Sequence, residues 1–209
     1  MAMIHCSNLS ISYGDHSVID NFSASFAAGT ISVITGGNGA GKSTLIATLA
    51  GDFPEYQGEI TIDGKSLRQF SSNELAKIRS VAAQHHNYWM SYSVAEILRL
   101  GNEHVSQNRW DEMITIFAME KFLDQSITTL SGGQLQRIEI ARAFLRELPI
   151  VFLDEPFAAQ DLHSISRLRE FFKSEVDRGR TIVMAAHMRS DDLDWCNQVV
   201  ALPIQGEEI

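Results

Sequence analysis

The segment Gly36-Gly37-Asn38-Gly39-Ala40-Gly41-Lys42-Ser43 satisfies the pattern G-x-x-x-x-G-K-[ST] and restricts this chain more than any other feature. Glycines let backbone N–H groups wrap phosphate oxygens without a Cβ in the way. Lys42 is then placed to reach β and γ phosphates and Ser43 to ligate Mg²⁺, while Thr44 adds a further phosphate contact. The flanks agree with that use. Residues 31–35 form a short apolar run before the loop, and Leu45, Ile46 and Leu49 recur at helical spacing after it, giving strand, loop and helix in order. The helix would turn the positive end of its dipole toward the anion.

A second chemical feature lies downstream. Residues 150–153 are an apolar strand that ends in Asp154 and Glu155, adjacent carboxylates that strand alternation sends in different directions. Asp154 can hold the Mg²⁺ shell while Glu155 polarises an attacking water, a division of labour that hydrolysis requires. An apolar strand ending in Asp-Glu is commonplace in isolation. Together with the glycine loop it points to ATP hydrolysis.

The remainder of the 209 residues bounds this reading. The length suits one folding unit with a subdomain, and 44% hydrophobic with 21% charged residues is ordinary globular composition. A net charge of -9 opposes a large nucleic-acid surface. No apolar run approaches the ~20 residues of a membrane span, and residues 1–10 lack the pattern of a signal peptide, so a cytosolic chain is expected. Cys6 and Cys196 stand far apart without metal-ligand spacing and read as reduced thiols.

Strand patterns at 59–62, 80–83, 181–186 and 198–202 alternate with helical ones, which favours an α/β core with a largely parallel sheet and a ligand outside the strands' carboxyl ends. Ser71 with Glu74, and Ser93 with Glu96, have the spacing of capping boxes. From 85 to 130 the pattern is mostly helical, with an amphipathic stretch at 110–119, and reads as an insertion. A helix over 134–148 is expected to stop at Pro149, and another over 162–176 to end near Gly179.

Between the two chemical motifs lies Leu130-Ser131-Gly132-Gly133-Gln134, followed by Leu135-Gln136-Arg137. Its glycines, hydroxyl and following helix make a second anion-binding device. This segment resembles the signature of ATP-binding cassette (ABC) ATPases, and the resemblance spans nearly the full chain. It implies an α/β P-loop NTPase core with a mostly parallel sheet, an N-terminal antiparallel β region and a helical subdomain inserted at about 85–145. It also implies that Ser131, Gly132, Gly133 and Gln134 meet the γ-phosphate held by a partner subunit's glycine loop, in a head-to-tail dimer with two ATP molecules. By the same resemblance Tyr13 stacks on adenine, and Gln84 senses Mg²⁺ and the attacking water. Asp161 belongs to the dimer-contact loop Ala158-Ala159-Gln160-Asp161, and His187 holds the γ-phosphate. Three positions depart from the family's habit: Gly37 replaces a frequent proline, Gln160 a frequent leucine, and Ala186 precedes His187 where a hydroxyl residue is common.

The implied function is the ATPase subunit of a membrane transporter, docked on the cytoplasmic face of a separate permease near Gln84. His85, His86, Tyr88, Trp89 and Tyr92 form an aromatic surface candidate there. Residues 51–101 look similar to the ATPases of iron-siderophore, haem and cobalamin importers, which would add an extracytoplasmic binding protein through the permease. A compact exporter subunit and a soluble ATPase of an assembly scaffold, such as one for iron–sulfur clusters, remain alternatives. The chain stops soon after 198–202, so no appended regulatory domain is expected.

Overall fold

In the computed structural model, residues 2–84, 88–188 and 192–202 are described. In chain order the elements are β1 (Ala2–Tyr13), β2 (His16–Ala27), β3 (Ile31–Thr35), α1 (Lys42–Ala50), β4 (Tyr56–Ile62) and β5 (Lys65–Ser66). Next come α2 (Ser72–Ile78), β6 (Arg79–Ala82), α3 (Val94–Arg99), α4 (Gln107–Ile116) and α5 (Gly132–Leu145). The chain continues with β7 (Ile150–Asp154), α6 (Leu162–Asp177), β8 (Thr181–Ala185) and β9 (Gln198–Ala201).

Two sheets result. An antiparallel sheet has the order β2-β1-β4-β5, and a parallel one the order β6-β7-β8-β3-β9. The parallel strands β7 and β8 are buried at every residue, which explains why they read as unbroken apolar runs. Alternation still sorts their side chains. Val151 and Leu153 face a core shared with α3, α4, α5 and α6, whereas Ile150 and Phe152 face a second core with α1 and the antiparallel sheet. Cys6 is buried in that second core, and burial pushes its thiol up to about 11, so it behaves as a small apolar residue.

Because β3, β6, β7 and β8 run parallel, their carboxyl ends share one edge. Thr35, Ala82, Asp154 and Ala185 therefore bring the glycine loop, Gln84, the paired carboxylates and His187 to the same place.

Helix α5 connects that edge to the rest of the molecule. Its first turn is closed by a capping box in which Ser131 and Gln134 bond reciprocally, so it begins at Gly132, two residues before the expected start. It stops at Leu145, three residues short of the expected end. The reason is polar: Arg109 on α4 and Arg180 donate to the Phe144 carbonyl, at 2.8 and 3.3 Å, in place of helical N–H groups. Both guanidiniums also grip Glu175 of α6, which is fully buried. Cations at a helix C-terminus suit its dipole as well.

The segment expected to be mostly helical between 85 and 130 contains, among its described residues, only the short α3 and the longer α4 with a brief 3-10 turn at 127–129. Ser93 and Glu96 do form their capping box, as do Ser71 and Glu74. The amphipathic stretch starts at Gln107, capped by Ser106, and ends at Ile116, after which Ala118 turns left-handed.

Candidate active site

The glycine loop and the strand ends enclose a cavity of about 960 Å³, lined by Asn38, Gly39, Ala40, Gly41, Lys42, Ser43 and Thr44 on one side and by Gln84, Glu155 and His187 on others. Its size suits a ligand much larger than phosphate alone. Gly41 has φ 89 and lies so close to β2 that a Cβ would stand 2.7 Å from Val18 Cγ1. Only glycine fits both demands. No side chain caps α1, so its leading N–H groups carry no side-chain acceptor.

Lys42 is 6% exposed and its Nζ donates to the carbonyls of Gly36 and Gly37 at 3.1 and 3.0 Å. It also lies 3.0 Å from His187 Nε2 and 3.8 Å from Glu155 Oε1. An ammonium only donates, so Nε2 accepts in this contact and a neutral His187 carries its proton on Nδ1. Ser43 Oγ donates to Asp154 Oδ1 at 3.0 Å, setting a hydroxyl and a carboxylate together. Those two hard oxygens fit Mg²⁺, which typically takes one or two protein ligands and completes its shell with phosphates and water. Among the described residues there is no cluster of three or more acidic, His or Cys side chains that could form a different metal centre.

Glu155 adopts a left-handed backbone with φ 51, a cost that an ordinary strand end does not carry. The conformation is held from two directions: its N–H donates to the Ala185 carbonyl at 2.9 Å, and its Oε2 accepts from the His187 N–H at 3.1 Å. The catalytic candidates Glu155, Gln84 and His187 thus share one cavity with Lys42. Asp154 lies behind Ser43, buried at the strand end.

Other expected residues lie elsewhere. Tyr13 is at the end of β1, half exposed, with its ring centroid 4.8 Å from that of Phe53, and the cavity wall nearest in sequence is Val18. Ser131 and Gly132 are exposed at the start of α5, and none of Ser131, Gly132, Gly133 and Gln134 lines the cavity. Asp161 caps α6 by accepting from the N–H and hydroxyl of Ser164, bonds that hold its carboxyl below the usual range. In the aromatic surface candidate, His85 and His86 lie outside the described residues. Trp89 is 91% exposed and Tyr92 is also exposed, whereas Tyr88 is half-buried and donates to Glu139 of α5.

The sequence reading missed one cavity wall, made by Leu162, Ile165, Ser166 and Arg169. Their spacing of i, i+3, i+4 and i+7 is a single face of α6, a signal that periodicity could have supplied. It also missed Gln136, whose Nε2 lies 3.5 Å from the carbonyl oxygens of both Asp154 and Glu155.

With this geometry established, comparison with known proteins identifies the family. A family model described as ABC transporter matches residues 19–158. The chain belongs to the ABC transporter family. It is 28% identical over 207 residues to the hemin import ATP-binding protein of Rhodococcus jostii, covering 95% of this chain and 71% of that one. It is 34% identical over 190 residues to the manganese transport system ATP-binding protein of Listeria monocytogenes, covering 86% and 78%. A solved ATP-binding subunit of an ABC transporter superposes with a TM-score of 0.84 at 25% identity, covering 96% of this chain and 85% of that one. The general activity of such an ABC ATPase is ATP hydrolysis. No helix among the described residues is long and apolar enough to cross a membrane.

Proposed function

We propose that this chain is the ATP-hydrolysing subunit of a membrane transporter, powering a separate permease, and that two such subunits share two nucleotide sites head to tail. The observation that carries this reading is a division of the functional residues. Lys42, Ser43, Glu155 and His187 stand around one cavity, whereas Ser131–Gln134 open a helix that starts outside it, with Ser131 and Gly132 exposed. An anion-binding helix start that does not line its own chain's cavity finds its phosphate on a second subunit.

Within each site the glycine loop and Lys42 hold the triphosphate, and Lys42 exchanges the carbonyls of Gly36 and Gly37 for phosphate oxygens. Glu155 accepts the proton of the attacking water, and its two backbone-derived anchors fix where that proton goes. His187 orients the γ-phosphate, and Gln84, which lines the same cavity, senses the attacking water. Ser43, Asp154 and Gln84 would hold Mg²⁺, which when bound neutralises charge on the β and γ phosphates. Tyr13 offers a ring face to adenine. Asp161, through the loop it ends, faces the second subunit.

The helical segment at about 85–145 serves as the inserted subdomain. Its exposed Trp89, Met90 and Tyr92 supply an apolar surface for the permease at the cytoplasmic face of the membrane. Import of a metal complex such as haem, an iron-siderophore or cobalamin, with an extracytoplasmic binding protein, is the cargo reading that the hemin import relative supports. The manganese transport relative widens the class to a bare ion.

The test is co-purification. A tagged Glu155→Gln chain, recovered from native cells in mild detergent with ATP, is expected to bring down a polytopic membrane protein. Recovery of soluble partners alone, in repeated preparations, would refute the transporter reading and leave the ATPase intact.

A further inference from the structure

The loop after Glu155 turns tightly against α5. The Ala158 N–H donates to the Glu155 carbonyl at 3.0 Å and the Gln160 N–H to the Phe157 carbonyl at 3.3 Å, with Ala159 left-handed at φ 56. This path brings the Ala159 carbonyl oxygen so near to α5 that a Cβ on Gly133 would stand 2.7 Å from it. Glycine at 133 is therefore a matter of close approach, since its own conformation would suit any residue. Gln160 completes the junction, its Nε2 donating to the Gly133 carbonyl oxygen at 3.0 Å.

We propose that Gln160 is a positioning residue that fastens the first turn of α5 to the loop bearing the hydrolytic carboxylate, so that Ser131–Gln134 and Glu155 of one chain move together. The inference rests on the shared-site reading above, in which those two features serve different nucleotides. Leading N–H groups of a helix have no intrahelical acceptor, so the orientation of that turn decides what they present to an anion. A hydrogen bond accepted at the Gly133 carbonyl also polarises the Gly133–Gln134 peptide and makes the Gln134 N–H a stronger donor. A leucine at 160 would fill much the same space and do neither. Gln136, bridging from α5 toward the carbonyls of Asp154 and Glu155, gives the junction a second tie.

The experiment uses the whole purified chain in a Glu155→Gln background, which keeps ATP unhydrolysed. Dimerisation with Mg²⁺ and ATP is followed by sedimentation over a range of protein concentrations, and affinity of the monomer is measured separately with a fluorescent ATP analogue. Gln160→Leu, which removes the bond from both subunits of the dimer, is expected to raise the dimerisation midpoint roughly 3- to 10-fold, within the worth of two neutral hydrogen bonds. Gln160→Glu, isosteric but with an acceptor facing an acceptor, should raise it further. Monomer affinity should stay at the parent value in both. Unchanged dimerisation in both variants would overturn the proposal, as would a parallel loss of monomer affinity, the mark of a merely structural side chain. A parent Glu155→Gln chain that stays monomeric with Mg²⁺ and ATP at every concentration would refute the shared-site reading itself, and with it this inference.

Discussion

Helices α1 and α5 both begin in segments rich in glycine and serine, yet they begin differently. The start of α1 follows Gly41 with no side-chain cap and has Lys42, Glu155 and His187 gathered around it inside a cavity. The start of α5 is capped by its own Ser131 and Gln134, stands exposed at Ser131 and Gly132, and meets the loop at Ala159 and Gln160. The contrast separates two uses of the same element. An uncapped helix start that holds a buried cation is prepared for a highly charged ligand of its own, while a self-capped one is stable without any ligand and can wait for a partner's.

The largest effect should come from the carboxylate that only α1 has beside it. Glu155→Gln is expected to lower hydrolysis about 10² to 10⁴-fold while ATP binding persists, because proton acceptance alone is removed. Steady-state phosphate release together with equilibrium nucleotide binding measures both halves. Near-normal turnover would mean that the carboxylate at φ 51 is strained for some other reason. Next in size, Lys42→Ala should weaken ATP binding about 10²-fold, since charge-assisted contacts to phosphate are lost from a site whose two loop carbonyls, His187 and Glu155 are all gathered around this one cation. Titration with a fluorescent nucleotide reads it directly. Retained tight affinity would place the anion elsewhere and erase the distinction between the two helices.

These differences were unequally legible in the sequence. The glycine loop, the apolar run before it and the paired carboxylates could be read because each is local: residues adjacent in the chain do the chemistry together. The capping boxes expected at Ser71 and Ser93 are local too, spaced by three residues, and both form, while a third at Ser131 and Gln134, of the same spacing, was not among those expected. What could not be read depends on residues far apart. The end of α5 was misjudged because Arg109 and Arg180, one on α4 and one just before β8, cap a carbonyl 35 and 36 residues away. The Gln160 contact to Gly133 crosses 27 residues and is invisible to any periodicity. Tyr13 illustrates the opposite limit, since only the resemblance assigns it to adenine, while its ring rests on Phe53 outside the cavity lining.

The smallest effect, at the start of α5, discriminates most finely between the two helices. Ser131→Ala removes the hydroxyl that accepts from the Gln134 N–H, and loss of a helix cap typically costs about 1 kcal/mol. Chemical denaturation of the nucleotide-free chain should register that loss, and Ser131→Thr should restore most of it because threonine also caps. Neither change should alter the affinity of the monomer for ATP, because Ser131 does not line its own chain's cavity. A clear drop in monomer affinity for Ser131→Ala alone would bring α5 within reach of its own nucleotide. The two helix starts would then serve one site, and the argument for a second subunit would lose its footing. If stability falls while monomer affinity holds, the hydroxyl has a structural use at rest, and the proposed phosphate contact keeps its place across the dimer.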